Sequence, residues 1–215
     1  MSVGAVILIN GYPGVGKLST AKHLAKLLPN SQVLENHLME DAACSLFDKY
    51  KDSEAYNALR QGMRKTIFRS ILVSLGKSTG DSLPIYILTE SLPASPTGLA
   101  ALHSYFALSS SINFTLVHIV LTCSTEENIR RLACPTRKIK SKLTDESVLI
   151  ELRMEEDIAK FHGDLKKSKM DGLGGEFEID TERTDVRVTA GIVGEYVLDA
   201  LRGQGLWLQL NRAKR

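Results

Sequence analysis

The sequence predicts a three-layer α/β/α fold, with helices on both sides of a five-stranded parallel sheet. Three observations carry this. Apolar runs of strand length alternate along the chain with stretches of helical period. The first run, Val3–Ile9, is apolar without alternation, the pattern of a strand buried on both faces. A glycine-rich turn, Gly11–Gly16, follows it directly and opens into a helix. The 215 residues suffice for one such domain, 1–215, with its own core, and no repeat, linker or low-complexity segment divides them.

The elements follow in order. Lys17–Leu28 is helical, with Ala21, Leu24, Ala25 and Leu28 on one face and Pro29-Asn30 to stop it. Gln32–Leu34 is a short second strand, and His37–Phe47 a helix. Ser53 caps a long helix to Leu75, with Tyr56, Leu59, Met63, Ile67 and Ile71 on its apolar face and Gly76 at its end. Residues 77–83 form a polar loop. Pro84–Leu88 is the third strand, Pro96–Leu108 a helix and Phe114–Thr122 the fourth strand. Ser124 and Glu127 make a capping-box pattern for Thr125–Leu132. Pro135–Leu143 is a basic loop, and Thr144 opens a helix reaching about His162. "MDGLGG" is a turn, Glu176–Ile179 the fifth strand and Asp185–Leu201 the last helix. Right-handed crossovers join the strands.

The totals set limits on function. A net charge of +2 provides no electrostatic footprint for nucleic acid or membrane. No run approaches the ~20 apolar residues that span a bilayer. The start has no basic segment or cleavage pattern of a signal peptide. Cys44, Cys123 and Cys134 show no CxxC spacing and read as reduced thiols. The expected location is cytoplasmic. The expected partner is a small molecule rather than nucleic acid or membrane. The oligomeric state stays open.

The chemistry starts at "NGYPGVGKLST", Asn10–Thr20. Gly11-x4-Gly16-Lys17, between a strand and a helix, is the pattern of a phosphate-binding loop. The backbone of Gly11, Pro13, Gly14, Val15 and Gly16 wraps phosphate oxygens, with the N–H groups of the residues other than Pro13 pointing inward. The helix N-terminus adds positive potential there. Lys17 reaches the β- and γ-phosphates. The next position usually carries the hydroxyl that holds Mg²⁺, and here it is Leu18. Ser19, one residue on, faces the α-phosphate. Mg²⁺ keeps several waters in such sites, so water can replace one missing hydroxyl. The other possibility left open is a loop that has lost nucleotide binding.

On these residues the chain resembles the P-loop small kinases: adenylate kinase, shikimate kinase, gluconate kinase and the chloramphenicol phosphotransferase-like proteins. Adenylate kinases carry glycine, not serine, after the loop lysine. The chain is more narrowly similar to small P-loop proteins classed as AAA-type ATPases, which share NGxPGxGKLT, a DNHL segment and a later CxxEENxRRL…KLTD. The matching stretches are Asn10–Thr20, "ENHLMEDA", "YNALRQGMR" and "CSTEENIRRLACPTRKIKSKLTD", over most of residues 1–150. The resemblance implies an adenylate kinase-like P-loop NTPase fold with a mobile lid, and ATP with Mg²⁺ as cofactors. Nothing resembles the arginine finger or sensors of an AAA motor.

It also implies roles for residues. "LENHLMEDA" follows the second strand, where shikimate kinase-like folds place an acidic D-x-D; Glu35 and His37 fall on those positions. Glu35 would hold Mg²⁺ waters and His37 would accept a hydroxyl proton, since the unperturbed pKa of a histidine lies near working pH. Either could instead serve the following helix, where Asn36 turns the chain. Residues 36–75 would bind the acceptor. Arg60 and Arg64, four apart, would grip an acceptor phosphate or form a solvated basic face with Lys65 and Arg69. Thr89 and Glu90 end the third strand and aim at the cleft, Glu90 ordering a metal-bound water or binding an acceptor hydroxyl. The lid, 134–143, carries Arg137, Lys138, Lys140 and Lys142 after Arg130 and Arg131. Arg131 would stack on adenine and Arg137 would stabilise the transferring phosphoryl. Asp180, with Thr181, would lie near the adenine edge. The reading is an ATP-dependent kinase acting on a hydroxyl of a small molecule, a metabolite or nucleoside. The alternatives are a nucleoside monophosphate kinase and a nucleotide-binding regulatory module that transfers nothing.

Overall fold

The computed structural model describes residues 3–49, 51–75, 83–134, 143, 145–161 and 171–203. Five strands, β1 (Gly4–Asn10), β2 (Ser31–Leu34), β3 (Ile85–Thr89), β4 (Phe114–Thr122) and β5 (Leu173–Asp180), form one sheet in the order β2-β3-β1-β4-β5. Every pairing is parallel. The helices are α1 (Lys17–Leu27), α2 (His37–Cys44), α3 (Ser53–Leu75), α4 (Pro96–Ser111), α5 (Thr125–Leu132), α6 (Glu146–Glu155) and α7 (Val186–Gly203).

The two-residue period of the strands sorts the core into two halves. Ala5, Ile7 and Ile9 of β1 pack with α1 and α7, while Val6 and Leu8 face α3 and α4. All seven residues of β1 are buried, as the unalternating run predicts. β1 lies between β3 and β4, and the crossover from β1 to β2 runs toward one edge of the sheet while that from β3 to β4 runs toward the other. Such a switch point opens a crevice at the carboxyl ends of the strands, and the glycine-rich turn sits in it.

Several boundaries differ from expectation for physical reasons. α2 stops at Cys44 rather than Phe47. α3 starts at Ser53, with the Asp52 carbonyl accepting from Tyr56 N–H, so Asp52 holds the cap position. The buried stripe of α3 is Tyr56, Arg60, Arg64, Phe68 and Ile71. It is turned by one residue from the apolar face read in the sequence, because a buried carboxylate draws both arginines inward. α6 begins after Asp145, whose Oδ1 accepts from Ser147 and Val148 N–H. It ends at Glu155, well short of His162, because the backbone from Glu156 on is extended and pairs with residues 92–94 through Ala159 N to Leu92 O and Ala94 N to Asp157 O. β5 takes in the "LGG" expected as a turn. A register shift between Leu116 and Val117 passes over Gly174, and Gly175 adopts φ 153° to absorb it. Gly76, residues 77–82, Thr144 and residues 135–142, Arg137 among them, lie outside the described residues.

Candidate functional site

The turn after β1 is fixed from three sides. Asn10 is fully buried; its Oδ1 accepts from Gly11 N (2.9 Å) and Leu92 N (2.8 Å), and its Nδ2 donates to Leu92 O and Ala159 O. From beneath, fully buried Asn128 of α5 donates to Pro13 O at 2.7 Å and accepts from Arg153 Nη1 of α6 at 3.0 Å. Arg153 also donates to Cys123 O and lies over the Tyr12 ring, 4.6 Å from its centroid, while Tyr12 OH donates to Glu156 O. From the β5 side, Arg131 donates to Val15 O, Thr181 Oγ1 and Thr181 O. Glu127 anchors Arg130 and Arg131, and their hydrogen bonds, Arg130's first, hold its carboxyl down at about 2 against the opposing effect of burial.

The turn itself suits an anion. Gly14 and Gly16 both have φ 100°, and a Cβ on Gly14 would collide with the Asn128 amide. Gly16 is the N-cap of α1, so no side chain caps that helix, and no acid stands in its first turn. The positive end of the helix is therefore left to a ligand. Lys17 Nζ donates to Gly11 O (2.6 Å), Tyr12 O (2.8 Å) and Ser91 Oγ (2.8 Å). Triphosphate thus fits Lys17 and the backbone of Gly11–Gly16. For a divalent cation, no group of three or more His, Cys, Asp or Glu stands together among the described residues. The neutral oxygens near Lys17 suit an ion carried by nucleotide phosphates and hydrated elsewhere.

Across the crevice, three consecutive residues at the end of β3 join the two sides. Thr89 Oγ1 accepts from Asn36 N at 3.3 Å, Glu90 binds the arginines of α3, and Ser91 binds Lys17. Glu90 is fully buried. Arg60 Nη2 donates to both of its oxygens (3.0 and 2.8 Å), Tyr105 OH donates to Oε1 at 2.5 Å, and Arg64 Nε lies 3.6 Å away. Arg60 also donates to Asn36 Oδ1 at 2.6 Å. Burial is the largest single effect and opposes the Arg60 charge, but Glu90 together with Tyr56, Tyr105 and Glu40 outweighs it and raises the guanidinium's pKa. Burial and then Glu90 push Tyr105 well up, so its hydroxyl stays a donor. Arg64, 6% exposed, stacks on the Tyr105 ring.

Glu35 and His37 do come together, His37 Nε2 lying 3.1 Å from Glu35 Oε2. Lys22 of α1 holds the other oxygen at 2.8 Å. Three expectations are corrected. Glu90 is no metal-water ligand: its oxygens are enclosed by arginine and tyrosine, and it is their counter-ion. Arg60 and Arg64 are no solvated face, whereas Lys65 and Arg69 are exposed. At the end of β5, Asp180 is exposed and caps Glu182 N, and Thr181 is the residue that faces the loop. Arg131 is committed to the loop backbone and Thr181, and Ser19 is exposed on the first turn of α1. Sequence reasoning missed Asn128, Arg153, Lys22 and Ser91. Only "EEN" within the shared α5 stretch pointed to one of them.

A family model described as chromatin associated protein KTI12 matches residues 5–74. No curated protein matches the chain. A candidate kinase from Chloroflexus aurantiacus is similar in structure, with TM-score 0.58 at 17% identity over 93% of this chain and 99% of that one. The tunicamycin resistance protein of Deinococcus radiodurans gives TM-score 0.52 at 18% identity over 90% and 95% of the two chains. Shikimate kinase from Acinetobacter baumannii, in complex with shikimate, gives 0.52 at 15% over 92% and 95%. The likeness shows the fold alone, a three-layer α/β/α arrangement around one parallel sheet that extends over nearly the whole chain.

Proposed function

On this P-loop kinase-like fold, we propose that the protein is an ATP-dependent phosphotransferase acting on a hydroxyl of a small molecule. One observation carries the proposal: Thr89, Glu90 and Ser91 tie a seated loop lysine to a polar floor built by Asn36, Arg60 and Arg64. Bound Mg·ATP supplies the phosphoryl group and an ion that neutralises its charge. Lys17 and the uncapped start of α1 hold the phosphates. Glu35, fixed by Lys22, orients His37 through Nε2, and His37 takes the acceptor's proton. Two guanidiniums face one buried carboxylate, leaving a net positive charge under the acceptor side. That charge favours an acceptor bearing an anionic group, and it also supports a nucleoside monophosphate as acceptor. Arg137 of the basic segment is the proposed partner of the transferring group.

A second reading, a nucleotide-binding regulatory module without transfer, rests on Leu18. Calorimetric titration of ATP into wild type and Lys17→Ala, followed by a screen of anionic and neutral alcohols for phosphorylated product, separates the two. Lys17→Ala should weaken ATP by more than about tenfold, roughly 1.4 kcal/mol. Tight ATP binding with no product from any alcohol or nucleoside monophosphate would favour the regulatory module.

A further inference from the structure

Away from the crevice, the middle of the sheet holds an ionisable pair that neither the donor side nor the acceptor side uses. His118 of β4 is fully buried and stands in register with Glu176 of β5. Its Nδ1 donates to Glu176 Oε2 at 2.7 Å, and the glutamate side chain is only 4% exposed. The Nε2 edge of the same ring is buried with no hydrogen-bond partner among the described residues. Two well-packed apolar side chains would avoid both that unsatisfied nitrogen and the cost of burying a carboxylate. Packing alone therefore does not explain the pair. A third group does: Phe161 N donates to the same Oε2 at 2.7 Å.

Phe161 closes a strap, 156–161, the extended stretch that follows α6. Its ring is buried and meets the His118 ring edge-on, with centroids 5.6 Å apart. The far end of the strap reaches the phosphate loop. Ala159 O accepts from Asn10 Nδ2, and Glu156 O accepts from Tyr12 OH. Asn10 in turn holds Gly11 N through its Oδ1. The strap also braces the exit of β3, with Ala159 N donating to Leu92 O and Ala94 N to Asp157 O. Extended chain outside a sheet makes no ladder of its own, so outside contacts set its course. Lys160 adds a tie to Glu178 at 2.6 Å, but that glutamate is 42% exposed and the tie is weak. The buried tie is the one to Glu176.

We propose that His118 and Glu176 are positioning residues for nucleotide binding: they latch the strap 156–161, and the strap holds the phosphate loop through Asn10 and Tyr12. This role rests on the nucleotide-donor reading above, with the pair acting on nucleotide only through the intervening main chain.

Two readouts test it, on wild type, Glu176→Ala, Glu176→Gln, His118→Phe and Val197→Ala. The last lies in the opposite half of the core and controls for lost stability alone. The first readout is amide hydrogen exchange without nucleotide at Gly11, Ala159 and Phe161, taken relative to amides in β1. The second is ATP affinity by calorimetry, with thermal unfolding to confirm that each variant is folded. Glu176→Ala should speed relative exchange at all three amides by at least about tenfold and weaken ATP by at least about fivefold. Glu176→Gln keeps a carbonyl that can accept from Phe161 N, so both readouts should stay within about twofold of wild type. His118→Phe keeps a ring against Phe161 and loses the Nδ1 donor, so it should move both readouts in the direction of Glu176→Ala. It stands in for that variant if Glu176→Ala does not fold. Val197→Ala should lower Tm and leave relative exchange and ATP affinity within about twofold of wild type.

Gly11 exchange and ATP affinity that stay at wild-type values in Glu176→Ala overturn the proposal, reducing the pair to a local fastening of Phe161. Val197→Ala that weakens ATP as much as Glu176→Ala also overturns it, since lost stability then accounts for the effect. Glu176→Gln as impaired as Glu176→Ala overturns it too, because the bond to Phe161 N is then not what holds the loop. Wild type that binds no ATP sinks the donor reading, and Gly11 exchange alone then decides whether the pair latches the loop.

Discussion

At the residue scale, Glu90 explains why two arginines lie inside a helix's buried stripe. Its carboxylate is fully enclosed, and its partners sit on α3 and α4. Removing the charge while keeping the shape leaves two guanidiniums without a counter-ion. Glu90→Gln should therefore lower unfolding free energy by about 3–5 kcal/mol, read from urea denaturation. The Mg²⁺ dependence of ATP binding by the folded fraction should be preserved. A stability that barely moves would show that Glu90 is not the counter-ion that holds the two arginines inside. Tyr56, on the same stripe, has its phenol pushed up to about 12, by burial above all, and stays protonated throughout the working range.

At the scale of elements, α5 and α6 brace the loop from below. Asn128 spans Pro13 O and Arg153, and the separation of 115 residues between Asn128 and Pro13 makes this a tertiary contact. Asn128→Ala would strand a buried carbonyl and one guanidinium donor. The expected cost is about 1–3 kcal/mol in stability, with weaker ATP binding because the loop loses its lower support. A variant whose Kd for ATP is unchanged would show that the brace serves folding alone. Glu127 gives α5 a pH signature. Its folded pKa is depressed to about 2 from 4.5. The stabilisation is therefore fully present above pH 4.5 and lost as pH falls through about 2. Arg130 is largely exposed, so solvent screening keeps the net contribution small. Glu127→Gln should flatten the dependence of Tm on pH in that window and leave Tm near neutrality lower than wild type.

At the scale of the whole molecule, the two cores share their strands. Val197 of α7 packs in one half and Leu102 of α4 in the other, and both halves rest on β1 and β4. Val197→Ala and Leu102→Ala should each destabilise the protein, the leucine by about 2–5 kcal/mol. Both should shift a single unfolding transition, seen alike in near- and far-ultraviolet circular dichroism. Two separate transitions would mean that the layers fold independently. The layered sheet also brings residues of β2, β3 and α3 to one edge of the crevice and those of α5 and β5 to the other. Among the described residues no helix is long and apolar enough to cross a membrane.

How much was legible in the sequence follows from the range of the interactions. The strands and the loop with its glycines and Lys17 come from local pattern, period and turn chemistry, while Glu35 and His37 are singled out only through the family resemblance. The sequence by itself determined these, and with them the fold class. The tertiary structure alone decided which face of α3 is buried, because Arg60 meets Glu90 across 30 residues of chain. It alone put Ser91 against Lys17, 74 residues away, and Arg131 on Thr181, 50 residues away. It also moved the end of α6, since Ile158 and Ala159 exchange helical bonding for pairing with 92–94. The physical reason is the same in each case. A hydrogen bond to a buried charge or an open strand edge outweighs the few tenths of a kcal/mol per residue that local propensity contributes, and its partner cannot be read from neighbouring residues.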